Sequence, residues 1–296
     1  MTERIGFFRK HARVEDLPLG SKLLVTYQKM LQVNGERLIH KQTLVKGAPL
    51  DLKLVDQPNH FIVYESGRKS AGMGLERSIL FQPNNGPNIF IFDSDHLSYL
   101  YAAFAARTGL IKIPFLFIHL DAHIDCAQVE RRPPRAKQNR INMKDHLNYF
   151  LKYVWESNFV TAMAKGGLIS EVRLVTFERS VDAMLMGIAI KQMNLHPTPW
   201  SNFYPTEPFP DDFFSFKGSK FLGVDLDNFG IATVLKGESP LYHARAFMED
   251  MRRVGYTAKT FDVVGIATSP GYDEGYGSSE DKLEVAKYLS RELSKS

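Results

Sequence analysis

The stretch Ile113-Pro-Phe-Leu-Phe-Ile-His119-Leu120-Asp121-Ala122-His123-Ile124-Asp125 decides how this chain reads. Its apolar run through Leu120 has the composition of a strand buried on both faces. The run leads directly into three ligand-type side chains spaced i, i+2 and i+4. Along an extended segment such positions face the same way, so Asp121, His123 and Asp125 can address one site. Ala122 is small enough to allow close packing behind them. Phe117 and His119 share that face ahead of Asp121, and His119, lying deeper, is expected as a hydrogen-bonded core histidine.

Two further apolar runs end in the same manner. Asn88-Ile-Phe-Ile-Phe92 leads into Asp93-Ser94-Asp95-His96, and Lys220-Phe-Leu-Gly-Val224 leads into Asp225-Leu226-Asp227. Carboxylates and imidazoles that emerge where parallel strands end can converge on one point. Four aspartates (Asp121, Asp125, Asp225, Asp227) and two histidines (His96, His123) are enough to hold two divalent cations, the equipment for splitting water at neutral pH. Leu226 is expected to point away into the core, while Asp93 and Asp95 are available to orient His96. Any one of these motifs is equally well explained as a strand-end cap or turn. All three together are not, because buried carboxylates are costly unless paired or metal-bound, and no nearby sequence offers matching cations. Such ligands suit Mn²⁺ or another hard-to-borderline divalent ion.

Around these runs, strands and helices alternate. A helix is expected over 95–108, stopped by Gly109, and another over about 143–164, ended by Gly166-Gly167. Strands are expected at 88–93, 113–121, 171–178, 220–227 and 261–268, with a long loop over 194–219. Ser239-Pro240 opens a helix with a serine N-cap and proline in its first turn. Leu241, Ala244, Met248 and Met251 keep helical spacing before Gly255, and a last amphipathic helix covers about 280–294. This order implies an α/β domain with a mostly parallel sheet, helices on both faces, and the ligand candidates at the carboxyl ends of the strands. Residues 1–296 read as a single domain, of which the first 85 or so are the least legible. Two strand-like pieces stand out there, at 22–27 and 60–65.

Composition narrows the classes. Of 296 residues, 44% are hydrophobic and 24% charged, which supports a sizeable core. A net charge of +4 is too mild to argue for nucleic acid. Cys126 is the single cysteine, so no internal disulfide forms and a reducing compartment is expected. No apolar stretch reaches membrane-spanning length and no signal core opens the sequence, so a cytoplasmic location is expected. Nothing decides between a monomer and a homo-oligomer.

The three motifs resemble those of the ureohydrolase superfamily, the arginases and agmatinases, with deacetylase-type amidohydrolases more distant. That family carries Gly-Gly-Asp-His-Ser, Asp-Ala-His-x-Asp and Ser-x-Asp-x-Asp-x-x-Asp-Pro motifs in this order. Here the first stands as Asp93-Ser94-Asp95-His96-Leu97-Ser98, the second is intact as Asp121 to Asp125, and the third is reduced to Gly223-Val224-Asp225-Leu226-Asp227-Asn228-Phe229. The resemblance covers about residues 88–270 and implies a three-layer α-β-α fold. It also implies two Mn²⁺ ions, or another divalent metal: one held by His96, Asp121, Asp125 and Asp225, the other by Asp121, His123, Asp225 and Asp227. Asp121 and Asp225 would bridge them, and Asp125 would take up a proton and pass it to the leaving amine. His146 stands as a proton shuttle by analogy with a loop histidine of arginases, against the reading of a surface histidine in a helical run.

The departures bear on substrate. Free-arginine arginases carry a Ser-Gly-Asn-type loop after the second motif, where this chain has Glu130-Arg-Arg-Pro-Pro-Arg135. They end the last strand with a glutamate, where this chain has Ile266-Ala-Thr-Ser-Pro-Gly271. The variant motifs are most similar to a divergent branch that contains the peptide arginases of ribosomal peptide natural-product pathways. That implies an arginine-containing precursor peptide as partner, with ornithine and urea as products. Glu178, Asp182, Asp273 and Glu274 are the candidate carboxylates for the guanidinium. The basic loop from Arg131 to Arg140 is either a solvated surface or a contact for an acidic leader segment. Cys126, beside the ligands, is expected as a small buried neighbour. Two alternatives stay open: an amidohydrolase, deacylase or agmatinase-like enzyme on the same metal core, and a non-enzymatic binding module.

Overall fold

The computed structural model describes residues 23–33, 36–63, 69–121, 123, 125–138, 140–175, 201–202, 209, 211–270 and 277–295. In chain order these residues form β1 (Leu23–Val33), β2 (Glu36–Lys46), β3 (His60–Val63), β4 (Lys69–Gly72), β5 (Ser78–Phe81) and β6 (Asn88–Phe92). Next come α1 (Leu97–Arg107), β7 (Phe115–Leu120), α2 (Met143–Tyr153), α3 (Phe159–Gly166), β8 (Ile169–Val175) and β9 (Ser201–Asn202). The last elements are β10 (Lys220–Asp225), α4 (Asp227–Lys236), α5 (Pro240–Arg253), β11 (Val263–Ala267) and α6 (Ser279–Leu293).

A nine-stranded sheet runs in the order β1-β2-β5-β6-β11-β10-β7-β8-β9, and β3 pairs with β4 apart from it. Every pairing from β6 across to β9 is parallel. The β1–β2 and β5–β6 pairings are antiparallel and mark the N-terminal edge. The two strand-like pieces near the N-terminus thus belong to β1 and β3.

Strand alternation divides the core in two. Phe90, Phe92, Phe115, Phe117 and Phe221 pack on one face with α1, α2 and α3. Ile89, Ile91, Leu116, Ile118, Leu222 and Val224 pack on the other with α5 and α6. Because the parallel strands are covered on both faces, they read as unbroken apolar runs. The result is an α/β fold of three layers, α-β-α, as expected. Among the described residues no helix is long and apolar enough to cross a membrane.

Two expected boundaries are corrected. The helix foreseen over 143–164 is two helices, broken between Tyr153 and Phe159. Asn158 makes the break, because its side chain accepts from the Trp155 N–H at 2.9 Å and donates to the Tyr153 carbonyl at 3.1 Å, in competition with helical bonding. The strand foreseen over 220–227 ends at Asp225, and Asp227 instead begins α4. The helix start expected at Ser239-Pro240 and the helix stop at Gly166-Gly167 hold, while β9 falls inside the stretch expected as a loop over 194–219. The Ser239 hydroxyl caps α5 by accepting from the Tyr242 N–H at 3.2 Å, and Gly167 closes α3 in the left-handed conformation at φ 79°.

Gly223 lies opposite His119 in the β10–β7 register. A Cβ there would stand 2.7 Å from the Phe117 ring and 3.3 Å from His119 Nδ1. Gly223→Ala is therefore expected to lower the unfolding free energy by about 1–3 kcal/mol through overpacking. Urea denaturation checks this, and unchanged stability would mean that the Phe117 ring can yield at no cost.

Candidate metal centre

Four neighbouring strands end level. Phe92 of β6 pairs with Ala267 of β11, Ala267 with Asp225 of β10, and Val224 of β10 with Leu120 of β7. Their next residues therefore emerge along one rim of the sheet. Among the described residues, side chains gathered there form three groups, in each of which the ligand atoms lie within 4.8 Å of one another. One group is Asp95, His119, Asp121 and Asp125; a second is Asp121, His123 and Asp227; a third is Asp95, His96 and Glu156. Asp121 and Asp95 each belong to two groups, so the three form one continuous cluster.

Local backbone explains this sorting. Beyond β7 the chain does not stay extended, and Asp125 adopts a left-handed φ of 44°. Asp125 is thereby folded back beside His119, whose Nε2 lies 2.8 Å from Asp121 Oδ2 and 3.3 Å from Asp125 Oδ2. His123 goes the other way, its Nδ1 standing 3.5 Å from both Asp121 and Asp227. Its backbone N–H donates to Asp121 Oδ1 at 2.9 Å. The His123 side chain is 48% exposed while those of Asp121 and Asp227 are 1% exposed, which makes His123 the open side of the cluster.

Asp225 stands in the same field of charge but is held differently. Ser269 Oγ donates to its Oδ2 at 2.7 Å, and the Asp227 N–H donates to its Oδ1 at 3.2 Å. His96 is set by Ser94, whose Oγ lies 2.6 Å from His96 Nδ1 and donates to Glu156 Oε1 at 2.7 Å. With its proton given to Glu156, the serine oxygen accepts from the Nδ1–H form of His96. The His96 ring also stacks on Phe150 at 5.2 Å.

Electrostatics follow from burial. Loss of water pushes the carboxyls of Asp95 and Asp125 well above the usual range, and each is raised further by its anionic neighbours. Burial and then Asp227 raise Asp225; burial and then Asp121 raise Asp227. Asp121 is the exception: burial opposes its charge, but His119 beside it holds the carboxyl well below the usual range. His123 is raised by hydrogen bonding to Asp121 and Asp227. A cluster this rich in buried carboxyls, with imidazoles interleaved, has the donor chemistry of a hard-to-borderline divalent cation site. Burial pushes the adjacent Cys126 thiol upward, and Cys126 belongs to none of the three groups.

The sequence candidates among the described residues can now be placed. Asp121, His123, Asp125 and Asp227 are brought together within two groups, His96 lies in the third, and Asp225 adjoins them. Asp93, foreseen as an acceptor orienting His96, is corrected. Its carboxylate instead accepts from Gln42, from the Leu75 N–H at 2.6 Å and from Thr268 at 3.4 Å. Ser94 holds His96 in its place. His119 is indeed buried and hydrogen-bonded, and it also lies inside the cluster. Glu156 carried no sequence signal, being distant in the chain from all three motifs. Glu178, Asp182, Asp273 and Glu274 lie outside the described residues.

His146 is buried rather than on the surface. It belongs to none of the three groups, and its Nδ1 is 2.9 Å from the Tyr99 hydroxyl.

No family model and no curated protein sequence matches the chain. Among solved structures it is similar to an arginase from Medicago truncatula, with a TM-score of 0.42 and 12% identity over 74% of this chain. The match spans 59% of the plant chain.

Burial lowers His146 from its ordinary value of 6.5 to about 4. The unfolded chain therefore binds this proton more readily than the folded one between those values. Above about pH 6.5 His146 is neutral in both states and costs nothing; as pH falls toward 4 the unfolded state alone takes up the proton and stability is lost, in total roughly 3 kcal/mol. His146→Phe is expected to lessen the drop in stability between neutral pH and about pH 5, measured by urea unfolding at each pH. Identical drops in both proteins would refute the assignment.

Proposed function

We propose that the chain is a metal-dependent hydrolase of the ureohydrolase kind. Its substrate would be the guanidinium of arginine side chains within a precursor peptide, and its products ornithine and urea. The observation that carries the reading is the buried Asp/His cluster on the common rim of β6, β7, β10 and β11, open to solvent at His123.

The donor set suits two divalent ions, Mn²⁺ first among them, in positions that share Asp121. His96, His123, Asp121, Asp125, Asp225 and Asp227 would hold them, with Asp95, His119 and Glu156 close enough to join or support the set. Divalent ions bound there would supply hydroxide at neutral pH and Lewis-acid polarisation of the carbon under attack.

The chain's own groups have separable tasks. Asp125, paired with His119 Nε2 at 3.3 Å, is the buried carboxyl placed to take a proton at Oδ2 and return it to the leaving amine. His119 and the Ser94–Glu156 pair keep Asp121 and His96 oriented. A carboxylate must also grip the protonated guanidinium in a directional pair. Glu178, Asp182, Asp273 and Glu274 are the candidates for that role.

The peptide preference rests on the second-motif loop. In place of small hydroxyl and amide residues able to hold a free amino acid's α-groups, Glu130 to Arg135 present arginines and two prolines. Arg131, Arg132 and Arg135 are exposed, and this loop is anchored where Tyr149 donates to the Arg131 carbonyl at 2.6 Å.

Manganese-loaded protein is expected to release urea from a peptide with an internal arginine and not from free L-arginine. Asp121→Ala and Asp225→Ala are each expected to lower that rate by more than the roughly 10–100-fold typical of substitutions outside the ligand shell. Urea assays paired with metal analysis of the same samples check both points. Absence of urea from either substrate, with two metals bound, would overturn the reading in favour of amide hydrolysis on acylated amines.

A further inference from the structure

Ser269 directly follows Thr268 beyond the end of β11, is 3% exposed, and holds a left-handed φ of 42°. That conformation is strained for any residue with a side chain other than the few that tolerate it, and serine gains nothing from it locally. Such strain persists only where surrounding contacts over-determine it. Here three contacts do so. The Ser269 N–H donates to the Asp93 carbonyl at 2.5 Å. Its own carbonyl accepts from Lys282 Nζ of α6 at 2.8 Å. Its hydroxyl donates to Asp225 Oδ2 at 2.7 Å.

The hydroxyl contact is the one with consequences for the cluster. Asp225 takes one hydrogen bond on each oxygen, from Ser269 on Oδ2 and from the Asp227 N–H on Oδ1. A bond on each oxygen constrains the plane of the carboxylate, and each oxygen keeps a further lone pair. The Ser269 bond comes from the turn after β11, the strand next to β10, so the orientation is set by tertiary packing rather than by the β10–α4 turn alone. Lys282, itself buried, braces the turn from the helix layer behind it.

We propose that Ser269 is a positioning residue: its strained turn exists to aim its hydroxyl at Asp225 and so present that carboxylate to a divalent cation. The inference rests on the proposed metal-dependent reading. It assigns a role to the segment that replaces the family's strand-end glutamate, a role in holding the cluster rather than in reading substrate.

Two substitutions separate positioning from a merely structural turn. Ser269→Ala removes the hydroxyl and keeps the strain. Ser269→Gly removes the hydroxyl but suits the backbone conformation, so it folds at least as readily. Manganese binding is measured by titration calorimetry and metal per chain by elemental analysis, on native protein and on both variants, with melting temperatures alongside. Both variants are expected to bind manganese about 10–100-fold more weakly than the native chain, as for loss of an orienting partner, while Ser269→Gly melts above Ser269→Ala. Native affinity in Ser269→Gly, beside a native chain that does bind manganese, would overturn this inference and leave the hydrolase reading standing. A native chain that takes up no divalent metal would overturn both.

Discussion

Carboxyl groups repel one another and lose their hydration when buried, yet Asp95, Asp121, Asp125, Asp225 and Asp227 are buried in one cluster. Removing each charge from water costs several kcal/mol even after relaxation. Among the described residues the ion pairs to these groups come from His119 and His123. That arrangement leaves an excess of carboxyls over cationic partners, and a fold can hold it only on rigid elements. The parallel register of β6, β11, β10 and β7 provides them, because it brings the strand ends level without relying on mobile loops. Divalent cations would remove the excess, which is why metal binding and stability of this rim are expected to be linked.

The surrounding structure answers the same demand in smaller ways. Asp227 sits in the first turn of α4, where unpaired N–H groups and the helix dipole favour an anion. Among the described residues, the two non-glycine residues at positive φ, Asp125 and Ser269, both belong to this rim. One is folded back to His119, and the other is held so that its hydroxyl reaches Asp225. The N-terminal edge contributes through Asp93. Gln42 of β2 and the Leu75 N–H reach its carboxylate, and Ser78 of β5 donates to Gln42. A residue adjacent to the first motif thus ties the antiparallel edge to the centre of the sheet.

Much of this was legible along the chain. Unbroken apolar runs at Asn88–Phe92 and Phe115–Leu120 marked strands covered on both faces, and ligand-type residues at their ends marked the rim. Ser239-Pro240 and Gly167 located a helix start and a helix stop, since capping is local chemistry between neighbours. Less legible were backbone departures that residue spacing does not encode. Asn158 breaks a helix through bonds invisible to periodicity. The apparent i, i+2 alternation of Asp225 and Asp227 conceals a strand-to-helix junction, and the i, i+2, i+4 alternation from Asp121 conceals the left-handed turn at Asp125.

The sequence by itself therefore determined the layers, the strand ends and the kinds of donor gathered there, because apolar periodicity and residue type are local properties. Only the tertiary structure decided which donors meet. It put His119 between Asp121 and Asp125, sent His123 toward Asp227, brought Glu156 to Ser94 and His96, and turned Asp93 toward Gln42. Those partnerships join residues on different elements, and strand order, register and backbone turns set them together.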